Sequence, residues 1–172
     1  MDDELLDLVD KNDNVIGTIN RQDYKRLLDE ELGYIRAADM FILNSKGQIY
    51  TPVRTADKTI APNGLDYSVG GHVGSGEDYM SAIIRESQEE LNLSITESEI
   101  EQIAKTTSDE LRYIRCIYLM RSDKKPTFNP KDFVSAEWLT PHEVINKVDS
   151  GHPAKILLRE TIIILEDYLK SH

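Results

Sequence analysis

Cysteine is almost missing from this chain: Cys116 is the one thiol in 172 residues. A single cysteine excludes an internal disulfide framework and points to a reducing, cytoplasmic setting. No apolar run approaches the roughly 18 residues of a membrane span. Positive charge is also scarce. Lys and Arg total 20 against 31 Asp and Glu, a formal net charge of -11 and a pI of about 4.8. That balance argues against any nucleic acid polymer as a partner. A small anionic substrate stays open, because a divalent cation can bring the charge that the protein lacks. The start, MDDELLDLVD, is acidic and lacks the basic head and apolar core of a secretory signal. Internal repeats and low-complexity segments are missing too, and the length suits one domain with a substantial core.

What is present alternates strand and helix patterns. LLDLVDKNDNVIGTI reads as two short strands around a turn at residues 11–14. QDYKRLLDEELG, residues 22–33, reads as a short helix closed by Gly33. MFILNSKGQIYTPVR reads as a hairpin around residues 44–47, followed by a turn-rich loop, TADKTIAPNGLDYS. TESEIEQIA is acidic, with Ile100 and Ile103 as its apolar points, and LRYIRCIYLMR is the strongest strand pattern. Cys116 lies inside that strand and reads as a small buried hydrophobe. FVSAEWLT is a further strand. It runs into a helix start at which Thr140 is the N-cap, Pro141 the first helical residue and Glu143 the partner in a capping box. AKILLRETIIILEDYL is an apolar helix that packs on the sheet. This order predicts a mixed α/β (α+β) protein with a mixed sheet and helices on both faces.

The most informative stretch is GHVGSGEDYMSAIIRESQEELNL, residues 71–93. Glycines 70, 71, 74 and 76 precede a helix whose last turns carry Glu86, Glu89 and Glu90. Negative charge is disfavoured at a helix C-terminus by roughly 0.3–1 kcal/mol per group, and carboxylates four apart repel. On a helix from Asp78 to Leu91, residues Met80, Ile83, Ile84, Ser87 and Leu91 form the core stripe. The three glutamates then share an arc of roughly 100° beside it. Oxygen-only ligands of this kind suit Mg²⁺ or Mn²⁺. Spacing alone leaves two readings, a solvated acidic face and a cation site. The glycine loop has two as well, a plain turn and a phosphate cradle, and it lacks the Gly-Lys-Ser/Thr ending of a Walker loop.

In this register the stretch resembles the Nudix box, G-x5-E-x7-R-E-U-x-E-E-x-G-U, through Gly71, Glu77, Arg85, Glu86, Glu89, Glu90 and Leu93. Ser87 stands where the box has an apolar residue, and Asn92 where it has glycine. Asn92 keeps the helix stop, because asparagine tolerates the left-handed conformation. The resemblance implies a Nudix-type α/β/α sandwich, with residues 1–34 as an N-terminal extension of two strands and a short helix, and residues 35–172 as the Nudix hydrolase domain. It implies metal-dependent cleavage of a diphosphate bond in a small substrate. Glu86, Glu89 and Glu90 become the metal ligands for Mg²⁺ or Mn²⁺, while Arg85 and Glu77 hold the box together. Glu86, Glu89 or the downstream Asp132 becomes the proton acceptor, with Glu137 behind Asp132. Gly71, His72 and Arg54 are candidate substrate contacts.

Within that superfamily the VIGTI and SVGGHV segments resemble type I isopentenyl diphosphate isomerases. Those enzymes carry a catalytic cysteine where this chain has Gly70, and an upstream metal histidine where YIRAADMF offers only Arg36. A hydrolase on an isomerase-like frame is therefore expected. An isomerase and a non-catalytic ligand-binding module are the alternatives. The loops TADKTIAPNGLD and RSDKKPTFNPKD are where substrate selection is expected, the latter through Lys124, Lys125 and Lys131. The TIIIL run fits either the core or the face of a homodimer, and no membrane contact is expected.

Overall fold

The computed structural model describes residues 4–172, so the first three residues of the expected extension lie outside the described residues. Strands β1 (Leu5–Val9) and β2 (Val15–Asn20) form the expected antiparallel pair. After a short 3-10 turn comes α1 (Tyr24–Asp29), which is shorter than the spacing predicts. Gly33 is not its cap. The helix has already ended at Glu30, and Gly33 has φ +153° where the chain crosses β1. A Cβ there would lie 2.6 Å from the Val9 carbonyl oxygen, so close approach rather than capping selects the glycine.

The main sheet is built from β3 (Ile35–Leu43), β4 (Ile49–Arg54), β5 (Val69–His72), β6 (Ile100–Ser108), β7 (Tyr113–Arg121) and β8 (Phe133–Leu139). Its order is β6-β7-β3-β4-β8, and β5 also pairs with β3. β3 and β7 run parallel, while β6–β7, β4–β8 and β3–β5 are antiparallel. The acidic TESEIEQIA segment, unassigned from its pattern, supplies a 3-10 turn and the start of β6, whose residues beyond Ile100 are exposed or half-buried, as at a sheet edge.

One irregularity positions the site. β4 meets β3 only at Ile49–Leu43, and β5 takes its place beside Ala37–Met40. Pro52, which has no N–H for a ladder, lies in the part of β4 that has left β3. The sheet is therefore split, and α2 (Tyr79–Leu91) covers one face while α3 (Pro141–Asp149) and α4 (Leu158–Ser171) cover the other. Strand alternation sorts the residues. Ala38, Met40, Ile42, Cys116, Tyr118 and Met120 pack toward α2; Phe41, Leu43, Ile117 and Leu119 pack toward α3 and α4. This is the α/β/α sandwich. Both arms of the Thr140–Glu143 capping box are present at α3. α4 starts at Leu158, because residues 154–157 form an irregular segment in which Ala154 bridges Leu65 and Leu157 has φ +64°.

Candidate active site

The site is assembled on the loop that leads from β5 into α2. The N-terminal hairpin supports that loop directly. Ser75 N–H donates to the Leu5 carbonyl (2.9 Å), Ser75 Oγ to Asp7 Oδ1 (2.8 Å), and Gly76 N–H to Asp7 Oδ2 (3.2 Å). Gly76 has φ +77°, which a side chain would strain. Asp78 caps α2 by accepting the Ser81 N–H at 2.7 Å. At the far end Asn92 adopts φ 50°, ψ 35°, the left-handed stop that its box position calls for, and its Nδ2 donates to the Thr127 carbonyl at 3.0 Å. Ser87, the other departure from the box, is fully buried and donates its hydroxyl to the Ile83 carbonyl one turn back (2.7 Å). A small polar residue therefore fits the core stripe without an unmet hydrogen bond.

Arg85 is the hub. Its Nε and Nη2 donate to the two oxygens of Glu77, both at 3.0 Å. Nη1 donates to Glu86 Oε1 (2.7 Å) and Glu89 Oε2 (3.3 Å), and Nη2 also reaches the His72 carbonyl (3.1 Å). Glu77 Oε2 in turn accepts the Gly74 N–H at 2.9 Å, tying the loop to the helix. Gly71 is required by contact: a Cβ there would come within 2.2 Å of the Glu86 carboxyl group. Glu86 therefore lies directly against the β5 backbone.

Glu90 reaches the neighbouring β5 residue, accepting the Gly70 N–H at 3.1 Å. Burial, reinforced by the negative charge of Asp66 and Glu86, pushes its pKa well above the carboxylate range. Burial likewise raises Glu86, against the pull of Arg85. Glu89 is the open member of the set, with 57% of its side chain exposed and one long contact to Arg85. Among the described residues no three His, Cys, Asp or Glu side chains stand converged as a metal cage. The donor set nevertheless fits a hard divalent cation: three carboxylates on one helix end, two of them half-buried, opposed locally by one guanidinium. A groove of about 630 Å³ runs along the loop, lined by Glu4, Gly74–Asp78, Ser81 and Arg85.

The remaining expected residues are distributed unevenly. The ring of His72 is turned inward, with Nε2 2.8 Å from the Tyr113 hydroxyl, and burial pushes its pKa down to about 3, so it is neutral. Arg54 donates Nε to the Ile60 carbonyl (2.8 Å) and Nη1 to Asp66, which closes the 55–66 loop. Asp132 pairs with Lys58 at 2.6 Å and, among the described residues, contacts none of the box glutamates. Glu137 is exposed and lies 3.8 Å from Lys147. The 122–132 loop does reach the site, through Asn129. That residue donates its N–H to the Glu90 carbonyl (2.7 Å) and its amide to the Glu89 carbonyl (3.4 Å), satisfying the open end of α2. Asp7 and Asn129 were missed in the sequence because neither has local spacing that distinguishes it from an ordinary loop or strand residue.

The place of an isomerase thiol is closed. A Cβ on Gly70 would lie 2.6 Å from Asp39 Oδ1, and Cys116 sits in the core on β7, with burial pushing its thiol up to about 11.

Comparison with known proteins bears on the family of the whole chain. A family model described as the NUDIX domain matches residues 33–159. A Nudix hydrolase of Deinococcus radiodurans is 40% identical over 162 residues, covering 93% of this chain and 92% of that protein. A crystal structure of a Deinococcus radiodurans protein superposes with a TM-score of 0.83 at 39% identity, covering 93% of this chain and 98% of that one. An isopentenyl-diphosphate Delta-isomerase 1 of Photorhabdus laumondii is 31% identical over 131 residues, 73% of each chain. No helix among the described residues is long and apolar enough to cross a membrane.

Proposed function

The chain belongs to the Nudix hydrolase family, and from that membership we propose that it hydrolyses the diphosphate bond of a small molecule in which a nucleoside diphosphate is linked to another moiety. Members of the family generally need a divalent metal ion. Glu86, Glu89 and Glu90 would hold Mg²⁺ or Mn²⁺ here. Such an ion supplies Lewis-acid polarisation of the phosphoryl oxygens and lowers the pKa of the attacking water.

The observation that carries this reading is the arginine hub, in which one guanidinium fixes Glu77, Glu86 and Glu89 together. Arg85 orients the helix glutamates, and Glu77 locks the loop against them through Gly74. Glu89, exposed and loosely held, takes the proton from water as the oxygen attacks phosphorus and the bridging P–O bond breaks. Asp132 is the second candidate for that proton, and it must first leave Lys58. Gly71 and His72 lie on the strand beside the glutamates and offer the substrate their backbone, because Gly71 has no side chain and the His72 ring is turned inward onto Tyr113. Arg54 already serves Asp66 and carries no substrate role in this scheme.

The test is a panel of nucleoside diphosphate compounds and isopentenyl diphosphate, with Mg²⁺ or Mn²⁺, following phosphate products and double-bond migration. Hydrolysis of at least one diphosphate is expected, with Glu89→Gln slower by about 100-fold or more. No turnover on any compound, together with unchanged metal affinity in Glu89→Gln and Glu90→Gln, would overturn the proposal.

A further inference from the structure

The two helical layers meet at Gly70. From the α2 side, Glu90 accepts the Gly70 N–H at 3.1 Å. From the α3–α4 connection, Lys155 brings its ammonium to 3.5 Å from where a Gly70 Cβ would stand, beside Asp39 at 2.6 Å from the same point. This meeting is possible because β4 has left β3 and the sheet is split there.

The charges around that point can be paired off. Asp39 has Arg115 at 2.9 Å, and Asp66 has Arg54. On the helix, Arg85 serves Glu77, Glu86 and Glu89. Glu90 has no salt bridge to any cation among the described residues. The third cation is Lys155, which lies 3.4 Å from Asp66 and adjoins Gly70, the residue whose N–H Glu90 accepts. Lys155 is anchored to hold that position. Its N–H donates to the Leu65 carbonyl (2.8 Å), Leu65 N–H donates to the Pro153 carbonyl (2.9 Å), and its ammonium lies 5.6 Å from the centre of the Tyr67 ring.

We infer that Lys155 is the resident counter-charge of Glu90, a positioning residue from the opposite layer that steadies this carboxylate and competes with a divalent cation for it. The inference rests on the metal-binding reading of the box. It assigns to the loop before α4 a part in setting cation affinity, although that loop lies 62 residues beyond the end of the box by the Leu93-to-Lys155 spacing.

Mn²⁺ binding measured by the electron paramagnetic resonance of free Mn²⁺ tests it. Lys155→Met is expected to bind Mn²⁺ about three- to tenfold more tightly than wild type, the consequence of removing a partly screened opposing charge at short range. Lys155→Arg keeps the charge and is expected to bind like wild type, as is Lys58→Met, whose partner is Asp132. A purely structural lysine would leave affinity unchanged or weaken it, and either result overturns the inference. A second measurement needs no neutral variant. In lysine-¹⁵N-labelled wild type, the Lys155 ammonium resonance, assigned by its loss in Lys155→Arg, is expected to shift on adding Mg²⁺; an unmoved resonance overturns the inference even if Lys155→Met does not fold. Wild type that binds no Mn²⁺ removes the metal reading and this one together. Wild type that binds Mn²⁺ with Lys155→Met unchanged removes this one alone.

Discussion

Two arginines organise this molecule in opposite ways. Arg85 lies in the box with about a third of its side chain exposed and faces three carboxylates. Arg115 lies on β7 with 10% exposed and faces one carboxylate, Asp39, plus the hydroxyls of Tyr67 and Thr161. Around Arg115 the charges cancel and the remaining donors meet neutral acceptors. Thr161 donates its own hydroxyl hydrogen bond to the Leu157 carbonyl, which closes the network onto α4. Around Arg85 two negative charges are left over. A matched cluster is finished when the chain folds. A mismatched one retains an electrostatic demand that a cation can meet, and this separates a site from a structural network built of the same residue types.

The largest expected effects test that contrast directly. Arg115→Met strips the buried Asp39 of its salt bridge and leaves only the more distant Lys155 ammonium to oppose it, so it is expected to cost about 3 kcal/mol in urea unfolding. Arg85→Met is expected to cost about 1 kcal/mol or less, because its carboxylates are partly solvated and repel one another less once water surrounds them. Its hydrolase activity should instead fall about 10–100-fold, as the helix glutamates lose the group that orients them. Equal destabilisation by the two variants would abolish the distinction between matched and mismatched clusters.

The difference in legibility follows the same line. The Arg85 cluster was readable because Glu77, Arg85, Glu86, Glu89 and Glu90 lie within one loop and helix, where spacing converts directly into direction. The capping residues Asn92, Thr140 and Glu143 were readable for the same local reason. The Arg115 network was not. Asp39, Tyr67, Arg115 and Thr161 come from four separate segments, and in the sequence Arg115 looks like an interruption of a strand. The place of Arg54 at a strand end suggests a substrate contact, whereas its partner Asp66 becomes visible only when the loop between them closes. β6 stayed hidden because an edge strand with one covered side carries little apolar signal.

A smaller effect sharpens the contrast within the glycine loop. Gly71→Ala would drive a methyl group into the Glu86 carboxylate, 2.2 Å away, while at Gly74 the nearest atom is Glu77 Oε2 at an ordinary 3.4 Å. Gly71→Ala is therefore expected to reduce kcat about 10–100-fold with little change in melting, since a misplacement of about 1 Å is costly for a reacting site. Gly74→Ala should stay within about threefold of wild type, an effect of roughly 0.6 kcal/mol. Similar losses in both would mean that the loop senses any side chain and that Glu86 is not singled out.

The smallest effect concerns His72, which belongs to both kinds of cluster. Its carbonyl serves Arg85, while its ring stacks on Tyr113 in the interior, 5.8 Å between centroids. The ring's pKa falls from 6.5 to about 3 on folding, chiefly through burial and then through Arg21, Lys155 and Arg85. The neutral ring is the one the folded state accepts, so this contribution to stability is fully present above pH 6.5. Below that the unfolded chain gains a proton that the folded one refuses, and stability falls by up to about 1.4 kcal/mol per pH unit until the folded pKa is reached. His72→Gln keeps an amide near the Tyr113 hydroxyl and does not titrate. Between pH 7.5 and 5.5, wild type should therefore lose about 1 kcal/mol more than the variant in urea unfolding. Parallel curves would show that the ring is wetter than its place between Tyr113 and the β1 layer requires, and would move His72 from the matched interior to the open site.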